Sequence, residues 1–388
     1  MDYQLAKASR GVAVVLNANA KRVTPRLRQR MEKELAGVDI FYSKSLEDAH
    51  TIARQVLERG YHTVLTGGGD GTFIQMINLL YSLTQRMADG SSDTRGELVS
   101  LDRARQRANQ RRTWMPGDMP ALGILRLGTG NAVASVVDAG DCVEDVQKIV
   151  SLYAADRNPT TKTIALMESE RQVFPFAGLG WDGAVLNDYM GLKEWATGTW
   201  AQNLIKTGAG YVAAAFSRTI PRMLFESTPE VEIRTLDDAW LMGPDGQRAK
   251  HFSPGQVLYA GPANEVAFGT VPFFGCHFEM FPFARVTDAF QLRVLSAGIP
   301  EVVANLPLAW MGKYRSSGLM DFHARRIRID ASRPMPYEVG GDAQGDRECL
   351  EVGMSSHPLD MVDYHSPGSH GSILDSVLPA LRSAGDGF

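Results

Sequence analysis

The stretch His62-Thr63-Val64-Leu65-Thr66-Gly67-Gly68-Gly69-Asp70-Gly71-Thr72 decides the fold. Its first five residues predict a short buried strand, and residues 72–80 predict a helix. Thr72 and Gln75 have the spacing of a capping box, which would start that helix at Thr72. A glycine-rich turn at the end of a parallel strand exposes backbone N–H groups at a helix N-terminus. Those groups and the helix dipole favour a phosphate. Without Cβ atoms the backbone can approach the anion closely. Gly67, Gly68, Gly69, Gly71 and Thr72 are therefore candidate phosphate-binding residues. Asp70 differs in kind. A carboxylate beside phosphates repels them unless it manages a cation or moves a proton, so Asp70 is a candidate catalytic residue, working with Mg2+ or as a base. The plain alternative is a tight turn capped by Asp70.

Outward from this turn the chain alternates strands and helices. Val12-Ala13-Val14-Val15-Leu16 is a near-continuous apolar run of the buried parallel kind. Thr24-Pro25 opens a helix carrying Leu27, Met31 and Leu35, with proline suited to its first turn. Residues 38–42 predict a second strand, and residues 45–58 a helix with Ala49, Ile52, Ala53, Val56 and Leu57 on one face. Ala121-Leu122-Gly123-Ile124-Leu125 is a further strand. It is followed by Leu127-Gly128-Thr129-Gly130-Asn131 and a helix over 132–137. This order predicts a parallel sheet with helices on its faces and two glycine loops at neighbouring strand ends, which suits a nucleotide crevice. Past residue 160 the pattern turns to period two, as in Val231-Glu232-Ile233-Arg234 and Arg326-Ile327-Arg328-Ile329. An antiparallel β-rich domain, a sandwich, is expected there. The fold class is thus α/β plus β. Its parts are a nucleotide-binding domain over 1–155 with an insertion at 83–118, a β-rich substrate domain over 156–355, and a tail over 356–388 that packs back on the first domain.

Composition narrows the function. The 388 residues are 44% hydrophobic and 22% charged, as in globular proteins, with a net charge of −4. That balance argues against a nucleic-acid partner. Three widely spaced cysteines form neither a zinc motif nor a disulfide framework, and a cytoplasmic location is expected. No apolar run is long enough for a membrane span. Arg103, Arg105, Arg107, Arg111 and Arg112 in the insertion, and aromatic and basic residues over 192–222, could touch an anionic membrane surface. Their plain readings are a solvated helix face and a packed helix.

Gly68-Gly69-Asp70-Gly71-Thr72 together with the segment from Leu122 to Asn131 resembles the diacylglycerol kinase catalytic-domain family, which includes bacterial diacylglycerol kinases, sphingosine kinases and ceramide kinases. Gly178-Leu179-Gly180-Trp181-Asp182-Gly183, Pro282 to Ala289, and Val339-Gly340-Gly341-Asp342-Ala343-Gln344 are similar to further family segments, so the resemblance spans about residues 11–355. It implies an NAD-kinase-like first domain, a C-terminal β-sandwich, an active site in the cleft between them, and transfer of the γ-phosphoryl group of ATP to a lipid hydroxyl with Mg2+. It places the nucleotide near Asn17, Ser43, Gly67 to Thr72, and Gly128, Thr129, Gly130 and Asn131. It places Asp182 near the acceptor head group, where the plain alternative is a turn aspartate. It sets Asp288 at a structural Mg2+ site with backbone oxygens of Arg285 and Phe290, where the alternative is a hairpin carboxylate. Peripheral contact with membrane lipid follows, and a homodimer is compatible. Diacylglycerol, ceramide and a sphingoid base all stay open as acceptor.

Two departures matter. Ala289 replaces a family glycine, and aligning Asp342 with the Asp of the family's Asp-Gly-Glu puts Gln344 at the glutamate that takes the acceptor's proton. An amide is no base. Asp342 itself, Asp346 or Glu348, or late proton loss to Asp70 or water are the alternatives, and Asp342 is preferred as catalytic because it follows a strand and two glycines. These departures also admit a catalytically impaired nucleotide- or lipid-binding regulator. A kinase of the NAD kinase type shares the first loop but not Leu-Gly-Thr-Gly-Asn.

Overall fold

The computed structural model describes residues 11–88, 119–184, 227–275, 277–286 and 288–365. The basic part of the insertion, the block over 192–222 and the chain beyond 365 lie outside the described residues.

The first half runs β1 (Val12–Asn17), α1 (Pro25–Glu34), β2 (Asp39–Ser43), α2 (Leu46–Arg59), β3 (Thr63–Gly68), α3 (Asp70–Ala88), β4 (Ala121–Arg126), α4 (Ala132–Val136), α5 (Cys142–Ala154) and β5 (Thr161–Ile164). Local signals act as the sequence suggests. Thr24 caps α1 by accepting from Leu27 N–H, with Pro25 in its first turn. Ser45 caps α2 through Asp48 N–H, and Gly60 ends it in the left-handed conformation. One boundary differs. The helix expected over 72–80 begins at Asp70, because the Gly69 carbonyl already accepts from Phe73 N–H at 3.2 Å. It runs on to Ala88, with Leu80 and Leu83 still facing the core. Thr72 is therefore inside the first turn rather than its cap.

The second half contains β6 (Met167–Ser169), β7 (Gln172–Phe174), β8 (Phe176–Gly180), β9 (Glu230–Thr235), β10 (Ala239–Met242), β11 (Arg248–Phe252), β12 (Val257–Pro262), β13 (Glu265–Gly269), β14 (Phe290–Leu295), α6 (Ile299–Ala304), α7 (Leu306–Trp310), β15 (Leu319–Ala324), β16 (Arg326–Val339), β17 (Asp342–Met354) and β18 (Leu359–Val362).

Among the described residues the strands form two sheets. The first has the order β2-β1-β3-β4-β18-β5, parallel from β2 through β18 and antiparallel at β5. Val12 through Leu16 are at most 2% exposed, as expected of a strand covered on both faces. The second sheet has twelve antiparallel strands. Its long β16 pairs with β9 through Ile327 to Ala331 and with β8 through Tyr337 to Val339, and its pairing to β17 shifts register between Asp330 and Met335. A strand that changes partners at an irregularity is how a sheet folds over on itself to enclose a core.

Helix α3 ties the two halves together. Phe73, Met76, Ile77 and Leu80 belong to the core of the first sheet, whereas Ile74 belongs to the core of the second. Asn78 clamps the backbone of Val173, donating to its carbonyl at 2.9 Å and accepting from its N–H at 2.8 Å. The N-terminus of α3, with the first glycine loop, is thereby held beneath the second sheet.

Candidate active site

Strands β3 and β4 are paired to their ends, Gly67 with Leu125 and Gly68 with Arg126, so the two glycine loops emerge side by side. Their backbones come into direct contact. A Cβ on Gly128 would lie 2.5 Å from the Cα of Gly69, which only glycine permits. Asn131 holds the second loop from within. It has left-handed geometry at φ 52°, accepts from Gly128 N–H at 3.0 Å, and donates to the Gly128 carbonyl at 2.9 Å. Thr129 and Gly130 complete this loop, and a Cβ on Gly130 would come within 3.6 Å of Gly275 Cα on the second half.

Asn17, Ser43 and Thr72 come together around a cavity of about 230 Å3 at the C-terminal ends of β1 and β2, which Asn19, Lys44 and Gln75 also line. The Asn17 amide donates to Thr72 Oγ1 at 3.0 Å, joining the first strand to the first turn of α3. That contact explains why Thr72 does not serve as a cap. Crevices at the carboxyl ends of parallel strands are where doubly wound sheets take ligands.

Asp70 is 7% exposed. Both of its oxygens are occupied by the second loop, accepting from Ala132 N–H at 3.1 Å and Val133 N–H at 3.0 Å. The acid in the first loop thus caps α4. Burial raises the Asp70 pKa, and the backbone N–H groups oppose that rise.

Asp342 opens β17 directly after the two-glycine turn from β16. Its carboxylate lies against Gly71, where an added Cβ would stand 2.0 Å from Asp342 Oδ2. Asp342 and the glycine–aspartate loop are therefore brought together although 270 positions separate Asp342 from Thr72. Desolvation at the carboxyl raises its pKa. Gln344, two residues on, gives its carbonyl to Arg347.

Asp182 follows β8 on the same side. Its Oδ1 accepts from Gly183 N–H at 2.5 Å, and its own N–H donates to Glu265 Oε2 at 3.1 Å. Asp182 Oδ2, Glu265 Oε1 and Glu338 Oε1 are buried with no hydrogen-bond partner. Glu265 and Glu338 are 2% and 1% exposed. They share a face of the second sheet because Glu265 pairs with Gly180 and Glu338 with Gly178 across β8. Gly178 makes the room: a Cβ there would sit 2.0 Å from Asp182 Oδ2 and 2.8 Å from Glu265 Oε1. Carboxyls this close cannot all ionise. Burial pushes Asp182 up to about 6 and raises Glu265 and Glu338 well above the usual range. Asp182 adds to the rise in both glutamates. Sequence reasoning missed Glu265 and Glu338. Their signal was an acid inside an otherwise apolar strand, as in Asn264-Glu265-Val266-Ala267-Phe268 and Tyr337-Glu338-Val339.

Asp288 lies away from these groups. Arg248 Nη2 donates to its two oxygens at 2.9 and 3.1 Å, and Arg325 approaches at 3.6 Å. Two guanidinium groups on one carboxylate do not fit a divalent cation there, where the resemblance implies Mg2+. Among the described residues no group of three His, Cys, Asp or Glu side chains is arranged to hold a metal ion.

Residues 12–161 match the family model of the diacylglycerol kinase catalytic domain. No curated protein sequence matches the chain. Among solved structures, a diacylglycerol kinase from Bacillus anthracis str. Sterne is similar with a TM-score of 0.54 and 16% identity, over 92% of this chain and 97% of that one. A second structure from the same organism gives 0.56 and 17%, over 92% and 98%. At such identities the likeness is one of fold, and it extends over both sheets. Over residues 12–161 the chain is thus similar to the diacylglycerol kinase catalytic domain that its glycine loops resemble.

Proposed function

We propose that this protein is an ATP-dependent lipid kinase. The observation that carries the proposal is the meeting of Asp342 with Gly71 at the start of α3, beside two glycine loops at adjoining strand ends. In this reading ATP lies along the carboxyl ends of β1 to β4, near Asn17, Ser43 and Lys44, with its phosphates at the first loop and the N-terminus of α3. The acceptor hydroxyl stands between the γ-phosphoryl group and Asp342. Its oxygen forms the new bond to phosphorus, the bond to the β-phosphate oxygen breaks, ADP leaves, and Asp342 takes the proton. Asp70 holds the two loops in register. Mg2+ would supply charge neutralisation on the phosphates and would be held chiefly by the nucleotide. Asp182 faces the acceptor head group, with diacylglycerol, ceramide and a sphingoid base as the classes to be tried.

Peripheral attachment to the cytoplasmic face of a membrane belongs to the same proposal. No helix among the described residues is long and apolar enough to cross a bilayer. Leu306, Leu308, Trp310 and Met311 are 41–47% exposed, and exposed Lys313 and Arg315 follow them, a mixture suited to an anionic interface.

The test is transfer of labelled phosphate from ATP to lipid in phosphatidylglycerol vesicles carrying each acceptor class, with the product identified by mass. Asp342→Asn should lower turnover at least ~100-fold while ATP binding persists, as loss of a general base does. Absence of labelled lipid with every acceptor would point to a nucleotide- or lipid-binding regulator instead.

A further inference from the structure

The turn that carries Asp342 is conformationally demanding. Gly340 and Gly341 have φ of 59° and 84°, and Val339 pairs with Asp342 across them, the pattern of a two-residue primed hairpin turn. In such a turn the ladder uses the N–H of the last residue, so the N–H of the second central residue needs another acceptor. Gly341 N–H finds it in Glu338 Oε2 at 2.5 Å. Glu338 stands opposite Gly178 across the β8–β16 pair and reaches back from there to the turn. Its other oxygen, Oε1, is buried and unpartnered, and Asp182, Asp342 and Asp70 all lie close enough to oppose its ionisation. A carboxyl so placed resists ionisation. It can accept from Gly341 while adding no charge beside the γ-phosphoryl group.

We propose that Glu338 is a positioning residue that fixes the Gly340–Gly341 turn and so sets the Asp342 carboxylate over Gly71. This rests on the reading of Asp342 as the group that takes the acceptor's proton. A glutamine has the same length and the same acceptor, whereas an aspartate is one methylene short of Gly341 and alanine has no acceptor at all. Three substitutions therefore separate positioning from chemistry.

The experiment measures phosphate transfer to the vesicle acceptors, with thermal melting and ATP binding for each variant. Glu338→Gln should keep at least a third of kcat. Glu338→Asp and Glu338→Ala should each lose ~10–100-fold in kcat with KM for ATP changed less than twofold. In an Asp342→Asn background, Glu338→Ala should cost nothing further, because residues that act as one unit are non-additive. Glu338→Gln as inactive as Glu338→Ala would overturn the proposal by making Glu338 itself chemical. So would Glu338→Ala at wild-type rate, or a further loss in the Asp342→Asn background. If Glu338→Ala does not fold, the contrast between Gln and Asp still decides. A fully active Asp342→Asn protein would refute the role of Asp342 instead, and is read separately.

Discussion

The two walls of the site treat their acids in opposite ways. On the glycine-loop wall, Asp70 is buried with each oxygen on a backbone N–H, so its charge is spread over donors that hold it in place. On the β-sheet wall, Asp182, Glu265 and Glu338 are buried with one oxygen apiece left over. A carboxylate whose oxygens are both met by amides is a structural clasp. A group of carboxyls with unmet oxygens is stable only when protons neutralise most of it. The contrast teaches that the acid most visible in the sequence is the more structural one. The acids with unmet oxygens lie about 110, 195 and 270 residues further on.

The largest effect should come from breaking the clasp. Asp70→Ala leaves two buried N–H groups without acceptors and should destabilise the protein by about 2–4 kcal/mol, measured by urea unfolding. Asp70→Asn keeps one acceptor and should lose about half as much. If Asp70→Ala melts like the wild type, the two walls do not differ in the way described.

Next is the space that the second wall depends on. Gly178→Ala puts a methyl group 2.0 Å from Asp182 Oδ2 and 2.8 Å from Glu265 Oε1. Overpacking of this kind should cost about 1–3 kcal/mol. Combining it with Glu265→Ala should recover part of the loss, because the methyl then has room on one side. A double variant no better than Gly178→Ala alone would show that Glu265 is not the obstacle.

A pH series sharpens the contrast further. Asp182 is pushed from its ordinary value near 3.8 up to about 6 by burial. A raised carboxyl binds more protons folded than unfolded between those values. Its contribution to stability is present below pH ~4 and is lost as pH rises toward ~6. Asp182→Asn, which cannot ionise, should therefore gain on the wild type by on the order of 1–3 kcal/mol between pH 4 and 7. A difference that stays flat over that range would mean that Asp182 is not strained by its charge.

The smallest stability effect is expected at Gly71. The atom that a Cβ would meet is the far end of the Asp342 side chain, which can swing away. Gly71→Ala should shift stability by less than about 1 kcal/mol yet lower kcat at least tenfold. Equal losses in both would mean that the contact is only packing.

Much of the fold was legible because the local signals agree. The strand from Val12, the Thr24-Pro25 and Ser45 helix starts, and the glycine loops all state the same alternation, and residues near in sequence are near in space there. The start of α3 was misplaced because a capping box can be written by Thr72 and Gln75 while the Thr72 hydroxyl is taken by Asn17, 55 residues away. The site was legible in its glycine loops for the same local reason. Glu265 and Glu338 were not, since their proximity depends on strand register across β8, which no short motif encodes. Asp288 was legible as a carboxylate in a turn, but its arginine partners stand at positions 248 and 325.

The place of β18 has a consequence for how the protein is made. Leu359–Val362 slots between β4 and β5, Met361 and Val362 are fully buried, and Lys148 Nζ and Val137 O bond the backbone of Tyr364 just after it. The first sheet thus has a gap in its hydrogen-bonded ladder until the ribosome has added more than two hundred residues after β4. At roughly 5–20 residues per second that interval is on the order of ten to fifty seconds. Throughout it, the nascent nucleotide-binding half displays two unpaired strand edges. The protein is therefore exposed to aggregation until β18 has been made, and its first sheet cannot finish folding before β18 arrives.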